Sequence, residues 1–166
     1  MARARAFNLL GFAICVALLG YAWYAQAVLG LEPCPLCIFQ RLGVFAMGLL
    51  FLLATLHHPR GWGARVYGAL LLIAALATMA VAARHLWIQL QPAGSVPSCG
   101  ASLSYMMRIF PLADVIRKVL TGSGECAKVT WRFLGLAMPG WVMIWAAGLG
   151  VLGAIANLRP SLRRGS

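Results

Sequence analysis

An all-α membrane protein, a bundle of four transmembrane helices, is the fold this sequence predicts, and three observations predict it. Of its 166 residues, 62% are hydrophobic and only 10% are charged, where a soluble domain carries roughly 25% charged residues. Four stretches are free or nearly free of charge, each near the length of about 20 residues that crosses a hydrocarbon core about 30 Å thick. The interior of a bilayer offers backbone groups no water, so helices must supply the architecture. A freely soluble enzyme is excluded. The 14 Lys and Arg against 3 Asp and Glu would suggest nucleic acid in a soluble domain, but here the cations lie between apolar runs instead of clustering on one face. No nucleic-acid partner is expected, and membrane lipids are.

The first span is expected over about residues 7–29, inside the charge-free run from Ala6 to Leu31. Arg3 and Arg5 ahead of an apolar run ending in Ala25-Gln26-Ala27 imitate a secretory signal, but the run outlasts the 7 to 15 or so apolar residues of such a segment. The second span, about 35–56, begins at Pro35 and carries one charge, Arg41, near its start. The third, about 66–83, lies between Arg65 and Arg84, and the fourth, about 134–157, follows Arg132, with Pro139 marking its entry or kinking it. The whole chain reads as a single integral membrane domain, without repeat or low-complexity tract.

Cationic residues of short connections stay on the cytoplasmic side. Arg3 and Arg5 precede the first span, Arg60 and Arg65 separate the second from the third, and Arg159, Arg163 and Arg164 follow the fourth. Both termini are therefore expected in the cytoplasm, with loops of about 30–34 and 89–132 on the outer side. The long loop also carries Arg108, Arg117, Lys118, Lys128 and Arg132, so the even number of spans and the shortness of the inner connections add to the assignment. Within that loop, Leu112, Val115, Ile116, Val119 and Leu120 repeat at the spacing of one helix face, behind Pro111 and ahead of Gly122. A short amphipathic helix is expected there, lying flat on the membrane or packed on the spans.

Five cysteines are present. Cys15 falls inside the first span, where a lone thiol is most often a small packing residue. The orientation puts Cys34, Cys37, Cys99 and Cys126 outside the cytoplasm, where thiols usually form disulfides. Four cysteines allow three connectivities; Cys34 and Cys37 can pair locally as C-x-x-C, and Cys99 would then pair with Cys126. A bare C-x-x-C serves zinc sites, structural hairpins and redox enzymes alike. No resident metal is expected, because a structural zinc wants four converging ligands and His85 is the one histidine near the outer side, His57 and His58 falling on the inner connection without an assignable role. A ring closed by Cys34 and Cys37 constrains little of the unfolded chain, so redox exchange explains all four cysteines better than bracing does.

The setting agrees with exchange chemistry. Cys34 precedes Pro35 at the mouth of the second span, and the positive end of a helix stabilises a thiolate. Arg41, four residues beyond Cys37, shares its helix face. It either snorkels to the outer headgroups or supplies a fixed cation to a Cys37 thiolate and to a reducible, lipid-soluble acceptor.

Cys34-Pro35-Leu36-Cys37-Ile38-Phe39-Gln40-Arg41, two further outer-loop cysteines and the string from Trp131 to Trp141 (WRFLGLAMPGW) closely resemble the DsbB family, over about residues 6–157. That resemblance implies a multi-pass protein of the bacterial inner membrane, with its active cysteines on the periplasmic side. It implies a quinone-dependent oxidoreductase that reoxidises a DsbA-like periplasmic thiol oxidase, passes the electrons to ubiquinone or menaquinone, and so supports protein disulfide formation. It further implies that Cys99 is attacked by the partner's thiolate, that Cys126 next attacks the Cys34–Cys37 bond, and that Cys37 contacts the quinone. Arg41 matches an arginine associated with the quinone head group. His85 aligns with a histidine placed near it, an interfacial structural histidine being the other reading, and Glu125 matches a position that is acidic in relatives. Phe39 stands where tyrosine is frequent. The alternatives are a relative serving another partner, one resembling vitamin K epoxide reductase, and a structural membrane subunit with disulfide-braced loops. The quinone, the partner and the oligomeric state are not specified by these residues.

Overall fold

The computed structural model describes residues 2–91, 108, 111, 114, 124–127, 129 and 131–162. Four long helices make up most of it: α1 (Ala2–Ala27), α2 (Pro35–His57), α3 (Trp62–Gln89) and, after a four-residue α4 (Gly124–Ala127) and a small hairpin of β1 (Arg132–Phe133) and β2 (Leu136–Ala137), α5 (Met138–Leu162). All four are long and apolar enough to cross a membrane, so the chain is a multi-pass membrane protein with the expected four-helix architecture. Cys99 and most of the predicted loop helix lie outside the described residues. Within that stretch the Asp114 N–H donates to the Pro111 carbonyl at 3.0 Å.

The helices close into a ring in the order α1, α2, α3, α5, each packed on two neighbours, with α3 on α5 the most extensive pairing. The centre holds Cys15 from α1, Val44, Met47 and Phe51 from α2, Leu71 and Ala75 from α3, and Ala146 and Leu149 from α5. Cys15 is buried there as a packing residue. Close approach requires a missing side chain in two places. A Cβ on Gly43 would collide with the Thr78 hydroxyl, and one on Gly153 would lie 2.9 Å from Leu71 Cδ1, so α2 on α3 and α5 on α3 pack nearly backbone to side chain, as small residues permit in membranes. Outward-facing positions stay apolar: Leu9, Val16, Leu42, Phe45, Ile73, Leu76 and Val151 are all exposed. Trp62 is exposed at one end of the bundle and Trp23 and Trp87 toward the other, the interfacial depth that tryptophan favours.

Three helices depart from the charge-free windows, the first by starting at Ala2 and so taking in Arg3 and Arg5. The third runs past Arg65 at one end and Arg84 at the other, because a charge near the end of a span interrupts hydropathy but not backbone hydrogen bonding. The fourth begins at Met138, not near residue 134, because the apolar residues 133–137 are spent on the hairpin. Its register pairs Arg132 with Ala137 and Phe133 with Leu136. Leu134 (φ +50°) and Gly135 (φ +80°) turn it, both with the positive φ that a tight two-residue hairpin turn needs. Pro139 takes an early helical position, where it has no intrahelical N–H to lose, so it marks an entry and not a kink. Trp141 Nε1 donates to the Phe133 carbonyl at 3.1 Å, and Trp131 stacks on Phe133 while meeting Tyr21 of α1 edge-on, which fastens the hairpin to two helices.

Candidate functional site

One end of the ring collects the start of α2, the last turns of α3 and the short α4. The start of α2 is set by its own sequence. Cys34 is the N-cap, with extended backbone (φ −66°, ψ 163°), and Pro35 supplies the first helical residue, whose fixed φ suits that position. The Cys34 sulfur accepts from the Cys37 N–H at 3.4 Å, doing the work of a capping oxygen. Capping in this way folds the two side chains toward each other, and Cys34 Sγ and Cys37 Sγ stand 3.1 Å apart. A disulfide, at about 2.05 Å, needs only a small further approach. No disulfide joins two of the described cysteines.

His85 completes the cluster from α3. It is 2% exposed and sits in the last turn and a half of the helix, inside the bundle. Its Nε2 lies 3.7 Å from Cys34 Sγ and 3.2 Å from the Cys126 carbonyl, while Nδ1 lies 3.1 Å from Gln40 Nε2. These distances fit the tautomer whose Nε2–H donates to Cys126 O and whose Nδ1 accepts from the Gln40 amide. Gln89, one turn beyond, has Nε2 at 3.4 Å from the same His85 Nε2, and its Oε1 is buried without a hydrogen bond among the described residues. Turning that amide over would place the orphaned oxygen toward the ring proton. Leu36, Ile88 and Cys126 form a fully buried floor, against which Cys34, Phe39, Val81 and Ala127 pack.

Four of the residues singled out from sequence are therefore gathered at one place: Cys34, Cys37, His85 and Cys126. Cys99 lies outside the described residues. Arg41 stands one turn deeper than Cys37, half-buried, and its guanidinium reaches across to α1, with Nη1 donating to Gln26 Oε1 at 2.6 Å and Nη2 to the Ala22 carbonyl at 3.0 Å. Two of its five donors are engaged by those contacts. Gln40 and Gln89 were not legible as site residues. Gln40 was a polar residue inside an apolar run, three positions after Cys37 and so on its face, and that spacing is the one signal that pointed to it.

A cysteine pair in near-bonding contact beside a buried histidine, with a third cysteine in the buried floor against which one of the pair packs, can exchange disulfides and move protons. Comparison with known proteins agrees. The family model for disulfide bond formation protein DsbB matches residues 4–156. Proteins named disulfide bond formation protein B are similar to this chain at 52% identity in Marinobacter nauticus, covering 89% of this chain and 88% of that one. Another in Xanthomonas campestris pv. campestris is 51% identical over 93% and 91%, and one in Methylococcus capsulatus is 52% identical over 89% and 90%.

Proposed function

The chain belongs to the DsbB family of disulfide bond formation proteins, and we propose that it is the thiol:quinone oxidoreductase that reoxidises a DsbA-type dithiol oxidase. It works in the bacterial inner membrane, with both termini cytoplasmic and the cysteine end of the bundle periplasmic. The observation that carries this reading is the arrangement of Cys34 and Cys37, 3.1 Å apart at a helix mouth, with Cys126 in the buried cluster against which Cys34 packs.

In the relay, a partner thiolate attacks Cys99 of a Cys99–Cys126 disulfide, and the partner's second thiol resolves the mixed disulfide. The partner leaves oxidised; Cys99 and Cys126 hold two electrons and two protons. Cys126 next attacks the Cys34–Cys37 bond, Cys37 leaves as the thiolate, and attack of Cys99 on Cys126 completes transfer of the pair to Cys34 and Cys37. His85 Nε2–H, 3.7 Å from Cys34 Sγ, is the nearest proton donor to that sulfur as Cys34 is reduced, with Nδ1 taking up the replacing proton, and the same path runs in reverse on reoxidation.

The residues at this end fit a quinone. Its apolar ring needs a lipid-facing approach, which the exposed Leu42 and Phe45 on α2 offer, and its carbonyl oxygens need donors, which Arg41 and His85 carry. Bound there, it accepts two electrons and two protons. Cys37 would lie at the reacting end, Arg41 would aim a remaining N–H at one oxygen, and the buried floor of Leu36 and Ile88 would exclude water.

The test is a two-sided assay of the purified chain in detergent with a reduced DsbA-type partner and a soluble quinone. One partner disulfide should appear for each quinone reduced. With a partner whose second active-site cysteine is replaced by serine, the thiol that resolves the intermediate is gone, and a Cys99 mixed disulfide with that partner should accumulate on non-reducing gels. Partner oxidation without quinone consumption, or no adduct with that altered partner, overturns the reading.

A further inference from the structure

Cys34, Cys37 and His85 also form a constellation of a different kind. Their ligand atoms all lie within 4.8 Å of one another. We propose that when Cys34 and Cys37 are reduced, these three side chains bind Zn²⁺ reversibly, and that the metal holds the pair in its dithiol state and arrests turnover. The site follows from the geometry alone, whereas the arrest rests on the function proposed above.

Two of the three separations can be set against a zinc site directly, and the third lies within 4.8 Å. A tetrahedral zinc with Zn–S about 2.3 Å and Zn–N about 2.0 to 2.1 Å places two sulfurs about 3.8 Å apart, and a sulfur and a nitrogen about 3.6 Å apart. Cys34 Sγ and His85 Nε2 stand at 3.7 Å, already the required separation. The two sulfurs, at 3.1 Å, must spread by about 0.7 Å to reach the tetrahedral value. Thiolate and imidazole are the donors zinc prefers, and the absence of a carboxylate among the three disfavours Mg²⁺ and Ca²⁺. A metal-ligating histidine has its other ring nitrogen fixed by a hydrogen bond, and Gln40, 3.1 Å from Nδ1, is placed to do so. Once Nε2 ligates, the ring proton moves to Nδ1 and the Gln40 amide presents its oxygen.

Three protein ligands, not four, make this an open site. A structural zinc centre is closed by four; here the fourth position falls to water, so the ion can leave. The Nε2 contact with the Cys126 carbonyl, 3.2 Å, is given up as the metal enters. Zn²⁺ displaces the two thiol protons, which go to solvent, and no electron moves. A disulfide has no thiolate to offer, so binding selects the reduced pair. At a free zinc concentration 100 times the dissociation constant, the dithiol is favoured about a hundredfold, which raises the reduction potential of the pair by about 59 mV.

Co²⁺ is the spectroscopic probe. The full chain in detergent, reduced and freed of reductant without air, should take up one Co²⁺ with the thiolate-to-cobalt band and visible absorption of a tetrahedral site, and Zn²⁺ should bleach both. The chain carrying Cys99→Ser and Cys126→Ser should bind equally well. His85→Ala should weaken binding by more than about a hundredfold, Gln40→Leu by about 10- to 100-fold, and His85→Cys should restore it with a spectrum of three thiolates, which guards against a variant that merely misfolds. Equal uptake by the oxidised chain, or uptake indifferent to His85→Ala, overturns the site. In turnover, Zn²⁺ should slow partner oxidation and a chelator should restore it. Stoichiometric binding without slowing upholds the site and overturns the arrest.

Discussion

Two polar clusters are buried in this bundle, one at each end, and they are built differently. At the end away from the cysteines, Asn8 of α1 and Asn157 of α5 exchange hydrogen bonds, Nδ2 to Oδ1 in both directions at 3.2 and 3.0 Å, and Asn157 Nδ2 also donates to the Gly153 carbonyl at 3.0 Å. Each amide oxygen there has a donor. At the cysteine end, His85 Nε2 faces the Cys126 carbonyl, Cys34 Sγ and the Gln89 amide within 3.2 to 3.7 Å, and Gln89 Oε1 has no hydrogen bond among the described residues. One ring nitrogen thus serves three neighbours. A cluster that only joins helices gains by being closed, since an unsatisfied buried group costs about 1 to 3 kcal/mol. A cluster that must change partners as protons and sulfurs move cannot be closed in any one state.

That contrast can be broken at four points, in order of expected effect. Cys34→Ser and Cys37→Ser should each lower turnover by more than about a hundredfold, because no oxygen substitutes for sulfur in disulfide exchange, while thermal unfolding in detergent shifts little. A serine variant retaining a tenth of the parental rate would remove this pair from the relay. At the other end the pattern should invert. Asn157→Leu leaves Asn8 without its partner and should destabilise the chain by about 1 to 2 kcal/mol, read from unfolding in detergent, with turnover per folded molecule unchanged. Adding Asn8→Leu should recover part of the loss. A loss of activity exceeding the loss of folded protein would show that the two ends are coupled.

Arg41 sharpens the comparison, because its two hydrogen bonds to α1 resemble the closed cluster although it lies beside the open one. Arg41→Met should raise the quinone concentration for half-maximal rate about tenfold, roughly 1.4 kcal/mol, and leave thiol exchange with the partner nearly unchanged; Lys should rescue only in part, keeping the charge without the planar fork. If unfolding moves and quinone dependence does not, Arg41 is a helix tie. The smallest effect belongs to Gln40→Leu, which frees the His85 ring without removing it. Turnover should fall only severalfold, about 1 kcal/mol or less, and stability should change by a similar amount. A fall as large as that of Cys37→Ser would make Gln40 far more than a positioning residue.

Much of the molecule is written in one dimension. Long apolar runs require helices wherever water is absent, so the four spans follow from hydropathy and length alone. Cys34-Pro35 reads as a cap and a first turn, and the C-x-x-C that follows must bring its sulfurs together because three residues on a helix start nearly complete a turn. What the residues could not declare is which side of each helix faces inward. In a membrane the lipid is as apolar as the core, so the helices are apolar all round and no stripe marks the buried face. His85 could therefore sit inside the bundle or at its rim, and Gln40 could be any polar residue in an apolar run. Only the packing of α2 on α3 brings Cys34, Gln40 and His85 into one cluster, and only the approach of α1 gives Arg41 the Ala22 carbonyl. The hairpin of 132–137 was hidden for a related reason: its residues are as apolar as a span, and it is the positive φ of Leu134 and Gly135 and the docking of Trp131 and Trp141 that make a turn of them. Composition decides that the chain enters the membrane and where each helix crosses it. Which side chains meet is decided by helix rotation, which in a uniformly apolar solvent only close packing and a few buried hydrogen bonds can set.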